Sequence, residues 1–127
     1  MAILIPVSPG ELVDKITILR VKAERIAEPK RPAVAHELAL LEAVAARELP
    51  RSLDLDVLTA ELHAVNAALW DVEEGKRDCE RRRDFGPAFV ALARAVYIKN
   101  DRRAEIKRSI NTLLGSEIVE QKSYAAY

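Results

Sequence analysis

Two long stretches of sequence with almost no helix-breaking residue constrain the fold of this chain most strongly. Residues 55–83 contain a single glycine, Gly75, and residues 87–114 contain no glycine and no proline after Pro87. At 1.5 Å per residue, each stretch predicts a helix roughly 42 Å long. The turn sequence Asp-Phe-Gly-Pro at 84–87 separates them and predicts that the second helix folds back along the first. The chain is therefore expected to contain a long antiparallel hairpin of two helices.

Two shorter helices are predicted before this hairpin. The sequence "SPGE" is typical of a helix start, in which the Ser8 hydroxyl caps the first turn and Glu11 completes a capping box. We expect this helix to cover residues 9–26. A second helix is expected over residues 33–48, because prolines precede and follow it. The remaining residues, 116–127, are expected to form an extended or irregular tail.

The composition places these helices in one all-α domain. Half of the 127 residues are hydrophobic, which is enough for one core, and no linker or internal repeat divides the chain. Alanine, leucine, glutamate, lysine and arginine dominate, whereas glycines and aromatic residues are scarce, and this mixture favours helices over strands. We therefore predict a single domain over residues 1–127. Its fold class is all-α, a four-helix up-and-down bundle with a long hairpin of the third and fourth helices.

The relative lengths of the helices predict a homodimer. The two short helices, each roughly 25 Å long, cannot cover a hairpin that is roughly 42 Å long. The first helix is also apolar on two sides, one of which carries Leu12, Ile16 and Leu19 and the other Ile18 and Val21. A second copy of the chain would cover both surfaces, so a symmetric homodimer is the favoured assembly.

Charge and cysteine content exclude several classes of protein. The sequence has 20 lysine and arginine residues and 20 aspartate and glutamate residues, and its net charge of zero argues against a nucleic-acid partner. Cys79 is alone and no cysteines or histidines have zinc-ligand spacing, so we predict no metal site and no cofactor. The sequence shows no signal peptide and no membrane-spanning stretch. We therefore predict a cytoplasmic protein without membrane contact.

A change from apolar to charged residues along the two long helices marks the candidate site. The apolar stripe of the third helix continues into Glu73, and the stripe of the fourth is interrupted by Lys99 and Arg103. In an antiparallel hairpin, Glu73 is expected to lie level with Lys99, so that the charges complement each other. Amide and aromatic side chains flank this level. The predicted site consists of Asn66, Trp70, Glu73, Lys99, Asn100, Arg103, Lys107 and Asn111.

Three interpretations of these residues are open. In the first, Glu73, Lys99 and Arg103 form a buried salt-bridge network that sets the register of the helices. In the second, the cations bind a small anionic metabolite, a carboxylate, phosphate or nucleotide sugar, or convert it without a cofactor. In the third, the basic stretch "KRDCERRRD" at the end of the hairpin binds nucleic acid, although acidic residues interleave with the basic ones.

Several segments of the chain resemble a family of small helical bacterial proteins that is known only as a domain of unknown function. These segments are "PVSPGELVDKITIL", "ELHAVNAALWDVEE", "FVALARAVYIKNDRRAEIKRSIN" and "LGSEIVEQKSY". The resemblance implies no established activity. No nucleophile with its base, metal-ligand set or phosphate-binding loop can be assembled from the sequence. We therefore predict a non-enzymatic interaction or scaffold module, whose partner is a second copy or another protein.

Overall fold

Four α-helices and no β-strand make up the computed structural model, which describes all residues from 1 to 127. The helices are α1 (Pro9–Arg25), α2 (Arg31–Glu48), α3 (Leu53–Arg81) and α4 (Pro87–Leu113). A 3₁₀ turn over Glu28–Lys30 leads into α2. The predicted all-α class is confirmed, and each helix begins and ends within two residues of its predicted position. None of the helices combines the length and the hydropathy that crossing a membrane requires.

Serine side chains explain where α1 and α3 begin. Ser8 Oγ accepts a hydrogen bond from the Glu11 N–H (3.1 Å), and Ser52 Oγ accepts one from the Leu55 N–H (3.1 Å). The predicted capping box at α1 is only half formed. The Glu11 carboxylate lies 2.8 Å from Lys107 Nζ instead of bonding to the N–H of Ser8. A residue assigned to local capping therefore makes a tertiary contact.

The helices α3 and α4 form the predicted antiparallel hairpin, and α1 lies along it, antiparallel to α4. Near the start of α1, Gly10 is in close contact with Lys107 of α4. At the end of α1, Arg25 bonds to the Ala67 carbonyl (3.3 Å) and to the Asp71 carboxylate of α3. The helix α2 packs on α1 and not on the hairpin. The fold is therefore a three-helix unit with α2 on the outer side of α1.

The hydrophobic core lies where α1, α3 and α4 meet. Its buried residues are Val13, Leu55, Leu62, Ile106 and Ile110, and Leu49, Leu58, Val65 and Leu114 pack around them. The helix α1 is covered on two sides, by α2 on one and by the hairpin on the other. Both covers come from the same chain, so the apolar character of both sides of α1 does not by itself require a second copy.

The tail after α4 turns back and runs beside that helix. Gly115 has a φ of +63°, in the left-handed region that glycine adopts readily, and follows the end of α4. The tail then runs towards the start of α4 and contacts it three times, through Glu120 with Lys107, Lys122 with Asp101, and Tyr127 with Tyr97. Residues 116–127 form no strand. The tail is therefore an irregular strap held by side chains.

Candidate functional site

A bidentate ion pair between Asp14 of α1 and Arg103 of α4 lies at the centre of the candidate site. Arg103 Nε donates to Asp14 Oδ1 (2.9 Å), and Arg103 Nη2 donates to Asp14 Oδ2. The Asp14 side chain is 1% exposed and the Arg103 side chain is 29% exposed, so only the arginine has contact with solvent. The hydrogen bonds to Asp14 raise the pKa of Arg103 above its ordinary value. This fork geometry makes the pair a strong and directional link between α1 and α4.

Uncharged side chains complete the surroundings of this ion pair. Asn66 Nδ2 of α3 donates to Asp14 Oδ1 (3.0 Å) and to Thr17 Oγ1 (2.9 Å). The Thr17 hydroxyl donates to the backbone carbonyl of Asp14 (2.9 Å), and Arg103 Nη1 donates weakly to Asn100 Oδ1 (3.4 Å). We call Asp14, Thr17, Asn66, Asn100 and Arg103 the Asp14 cluster. It joins three helices through one buried carboxylate.

A second ion pair lies one turn further along α4. Lys107 Nζ is 2.8 Å from Glu11 Oε2 of α1 and 2.8 Å from Glu120 Oε2 of the tail, and its side chain is 8% exposed. We call Glu11, Lys107 and Glu120 the Lys107 bridge. Beside it, the Gly10 N–H donates to Asn111 Oδ1 (2.7 Å). Burial lowers the pKa of Lys107, but hydrogen bonding to Glu11 and Glu120 outweighs this effect, and the net pKa is raised.

The Lys107 bridge is expected to stop stabilising the fold in alkaline solution. The folded-state pKa of Lys107 lies above the ordinary lysine value of 10.5, which applies to the unfolded chain. The contribution of Lys107 is therefore complete below that value and is lost as the pH rises through the folded-state pKa. We expect the free energy of unfolding, measured with urea from about pH 9 to pH 12, to fall less steeply in Lys107→Met than in the wild type.

A surface lysine provides the control for this pH dependence. Lys15 also pairs with Glu11 (3.7 Å), but its side chain is 50% exposed. The free energy of unfolding of Lys15→Met should therefore fall with rising pH as steeply as that of the wild type, because exposed ion pairs contribute little to stability. A slope in Lys107→Met equal to that of the wild type would show that the bridge has no effect on stability.

The structure brings together five of the eight predicted site residues. These five are Asn66, Asn100, Arg103, Lys107 and Asn111. The other three lie apart from them. Glu73 bonds to Lys76 of its own helix (3.4 Å), Lys99 forms no salt bridge, and Trp70 is half-buried without a polar contact to the cluster. The predicted pairing of Glu73 with Lys99 and Arg103 is not formed.

The register of the hairpin explains why Glu73 does not reach Lys99. A Cβ on Gly75 would lie 3.1 Å from a methyl carbon of Leu92, so these two residues face each other. This register places Glu73 near the level of Arg94, more than one helical turn away from Lys99. The carboxylates that pair with the cations of α4 therefore come from α1 and from the tail.

Sequence reasoning missed the acidic half of the site. Asp14 lies at helical spacing from Ile18 and Val21, on the second apolar side of α1, and a carboxylate on a covered side requires a cation opposite it. That pattern was the available signal for pairing Asp14 with Arg103. Glu11 was assigned to the capping box. Glu120 lies in an irregular tail, and no sequence pattern predicts its contact with Lys107.

The candidate site is internally satisfied. No buried side-chain nitrogen or oxygen lacks a hydrogen-bond partner. Three carboxylates, of Asp14, Glu11 and Glu120, face two cations, Arg103 and Lys107, so no positive charge is left uncompensated there. No three His, Cys, Asp or Glu side chains converge as a set of metal ligands would. The arrangement is therefore suited to holding helices together.

A groove lies beside the Asp14 cluster on the side of the tail. Its volume is about 460 Å³, and it is lined by Asn100, Arg103, Ala104, Lys107 and residues 120–124. The groove is open to solvent along the strap. Arg103 and Lys107 both line this space, which is large enough for a small molecule.

The basic end of the hairpin is partly neutralised by its own acidic residues. Asp78 pairs with Arg82 (3.0 Å) and with Arg81 (3.3 Å), and Asp84 lies 3.5 Å from Arg82. The hydrogen bond from Arg82 lowers the pKa of Asp78 below its ordinary value. These exposed pairs reduce the positive potential that a nucleic acid would require.

Comparison with known proteins identifies a family and no activity. The model of DUF6165, described as a family of unknown function, matches residues 3–127. No curated protein and no solved structure matches the chain. The family match confirms the resemblance to a family of unknown function that four sequence segments indicate, and the matched range includes every residue of the Asp14 cluster and the Lys107 bridge.

Proposed function

Because the chain belongs to the DUF6165 family, whose function is unknown, we propose a function from its own surface: a non-enzymatic interaction module that forms a homodimer through α4. The Asp14 cluster takes the place of the predicted polar layer and holds α1 in one register on the hairpin. The part of the hairpin that α1 leaves uncovered is the docking surface. A cytoplasmic location belongs to the same proposal and is supported by Cys79, a free and buried thiol.

The single observation that carries this proposal is the first half of α4, Pro87–Ile98, which is almost uncharged on every side. Arg94 is the only charged residue among these twelve, and none of the twelve is buried within the chain. Val90 is 50% exposed and Ile98 is 46% exposed. We call this stretch the apolar half of α4. A helix that is apolar all round is normally buried, so we expect another molecule to cover it.

Apart from α3, only the end of the tail reaches this surface, where Tyr127 packs on Tyr97. The last residue of α1, Arg25, contacts Ala67 and Asp71 of α3. Beyond Asp71, α3 continues for ten residues, roughly 15 Å, and the apolar half of α4 lies beside this continuation. The helix α2 packs only on α1. The end of the hairpin therefore stands as two helices without a third.

The Asp14 cluster supports the scaffold part of the proposal. If α1 slid along the hairpin by one turn, the buried Asp14 carboxylate would lose Arg103 and Asn66 together. An unpaired buried carboxylate is costly, whereas a fully satisfied polar network favours one arrangement over its neighbours. The cluster thereby keeps α1 away from the end of the hairpin and leaves the docking surface free.

A second copy of this chain is the occupant that fits the surface best. The surface needs an uncharged partner, and in a two-fold symmetric interface each copy offers uncharged surface of its own to the other. Arg94 is compatible with this arrangement, because an arginine packs its aliphatic stem against apolar surface while the guanidinium extends to solvent. The chain also carries a second uncovered apolar segment that could add to the same interface.

Charged substitutions in the apolar half of α4 are expected to separate the dimer. We expect Val90→Glu combined with Ile98→Glu to raise the dimer dissociation constant about 100-fold or more, because each copy loses two buried aliphatic side chains. Sedimentation equilibrium measures the constant, and far-UV circular dichroism checks that the helices persist. Leu40→Glu, at a 53% exposed position of α2, is the matched control and should leave the constant unchanged. A wild type that is monomeric at all concentrations would contradict the proposal.

A second candidate function is the binding of a small carboxylate, phosphate or nucleotide sugar. The groove of about 460 Å³ beside Asn100, Arg103 and Lys107 favours it. The carboxylates already paired with both cations weigh against it. A thermal-shift screen with such anions separates the two functions. A rise in melting temperature that disappears in Arg103→Lys, in a protein that stays monomeric, would favour the anion-binding function.

A further inference from the structure

The segment Met1–Val7 is a second exposed apolar surface, which nothing in the chain covers. It contains no charged side chain and all of its residues are exposed, with Ile3 at 80% and Leu4 at 94%. It forms no backbone hydrogen bond to another part of the chain. Its end is nevertheless held in place, because Ser8 caps α1. An exposed apolar segment on a rigid base is typical of a docking element.

The apolar half of α4 is too small to hold a dimer without further contacts. It is roughly 18 Å long, and one helix with its side chains is roughly 10 Å wide, so its outward face measures roughly 180 Å². Stable interfaces bury about 800 Å² on each partner. The seven residues of Met1–Val7 span roughly 23 Å when extended, slightly more than the length of that face. The segment is therefore long enough to lie along the whole of that face and add contacts to the interface.

Ile3 cannot reach Val90 of its own chain. Gly10 contacts Lys107, which places Ser8 near the level of Lys107 along α4. Five extended residues carry Ile3 at most about 17 Å from Ser8. Val90 lies seventeen residues from Lys107, roughly 26 Å along the helix. Any contact between Ile3 and Val90 therefore joins two copies.

An antiparallel, two-fold symmetric pair of hairpins makes this contact possible. In such a pair the two α4 helices run in opposite directions, so the Ser8 end of one copy lies near the hairpin turn of the other. We infer that Met1–Val7 of each copy packs along the apolar half of α4 of the other copy, so that exchanged N-terminal segments hold the dimer. This inference rests on the proposed function, because it requires the homodimer.

Disulfide cross-linking between two variants tests the exchange directly. Differently tagged chains with Ile3→Cys and Val90→Cys are mixed and oxidised, and we expect a covalent dimer that contains both tags. Leu40→Cys replaces Val90→Cys in the control mixture and should give little of this product, since Leu40 is equally exposed but lies on α2. Cys79 is 2% exposed, and the oxidised wild type shows whether it contributes.

A second measurement separates failure of this inference from failure of the proposed function. Ile3→Asp combined with Ile5→Asp should raise the dimer dissociation constant at least about tenfold, because two apolar side chains leave the interface. A dimer that keeps its affinity in this variant and gives no cross-link between positions 3 and 90 would overturn the exchange but leave the dimer in place. A monomeric wild type would overturn both.

Discussion

Replacing Arg103 with methionine is expected to lower the free energy of unfolding by about 3 to 5 kcal/mol, because the buried Asp14 carboxylate then has no counter-ion. The Asp14 side chain is 1% exposed, and methionine has no donor that could replace the guanidinium. Only Asn66 and Thr17 remain beside it. Urea unfolding followed by circular dichroism, at one fixed protein concentration, measures the loss.

The neighbouring Arg102 provides the matched control. It pairs with Glu61 (3.2 Å) and Glu105 (3.3 Å), but its side chain is 53% exposed. Arg102→Met should therefore lower the free energy of unfolding by no more than about 1 kcal/mol. Equal losses in the two variants would show that the pair of Arg103 with Asp14 behaves as an ordinary surface ion pair.

Replacing Asp14 and replacing Arg103 should lower the free energy of unfolding by different amounts. Asp14→Asn leaves Arg103, which is 29% exposed and can turn towards water, so we expect a loss of about 1 to 2 kcal/mol. Asp14→Leu combined with Arg103→Met removes both charges and should recover most of the stability lost in Arg103→Met alone. A double variant no more stable than Arg103→Met would contradict the explanation by an unpaired carboxylate.

Gly10→Ala is expected to destabilise the protein by about 2 to 3 kcal/mol, because the added methyl group has no space. A Cβ at this position would lie 2.5 Å from the backbone oxygen of Lys107 and 2.8 Å from Asn111 Oδ1. Both atoms belong to α4, so the start of α1 would have to move away from that helix. The movement would also break the hydrogen bond from the Gly10 N–H to Asn111 (2.7 Å). The urea midpoint measures the loss.

Gly75→Ala is the control for this substitution. Its Cβ would meet only the side chain of Leu92, at 3.1 to 3.2 Å, and a leucine side chain can shift. Alanine also has a higher helix propensity than glycine, by roughly 1 kcal/mol, which offsets the crowding. We expect a change within about 1 kcal/mol of zero. If Gly10→Ala changed the free energy of unfolding no more than Gly75→Ala does, the close approach of α1 to α4 would contribute nothing measurable to stability.

The hairpin could be predicted because its determinants are local. Helix propensity, the proline at position 87 and the turn sequence before it act over a few residues, and they predict where α3 ends and α4 begins. The register of the hairpin was harder to predict. A level pairing of Glu73 with Lys99 follows from the turn alone, whereas the packing of Gly75 against Leu92 moves the two helices by more than a turn.

The cationic half of the candidate site was also visible in the sequence. Lys99 and Arg103 interrupt the apolar stripe of α4 and thereby predict a polar layer, and Arg103 lies in it although Lys99 forms no salt bridge. Lys107, which the prediction placed beside this stripe, also belongs to the site. The carboxylate partners of Arg103 and Lys107 were not visible. Asp14 is 89 residues from Arg103, and no local pattern specifies which helix covers which side of α4.

The sequence by itself determined the four helices, their ends and the presence of charges in a buried layer, because propensity, capping and periodicity depend on residues within one or two turns. Only the tertiary structure decided that α1 supplies the acid, that α2 lies outside, and that neither α1 nor α2 covers the apolar half of α4. The physical reason is that burial and ion pairing depend on which helices come into contact, and residues far apart in the chain make those contacts.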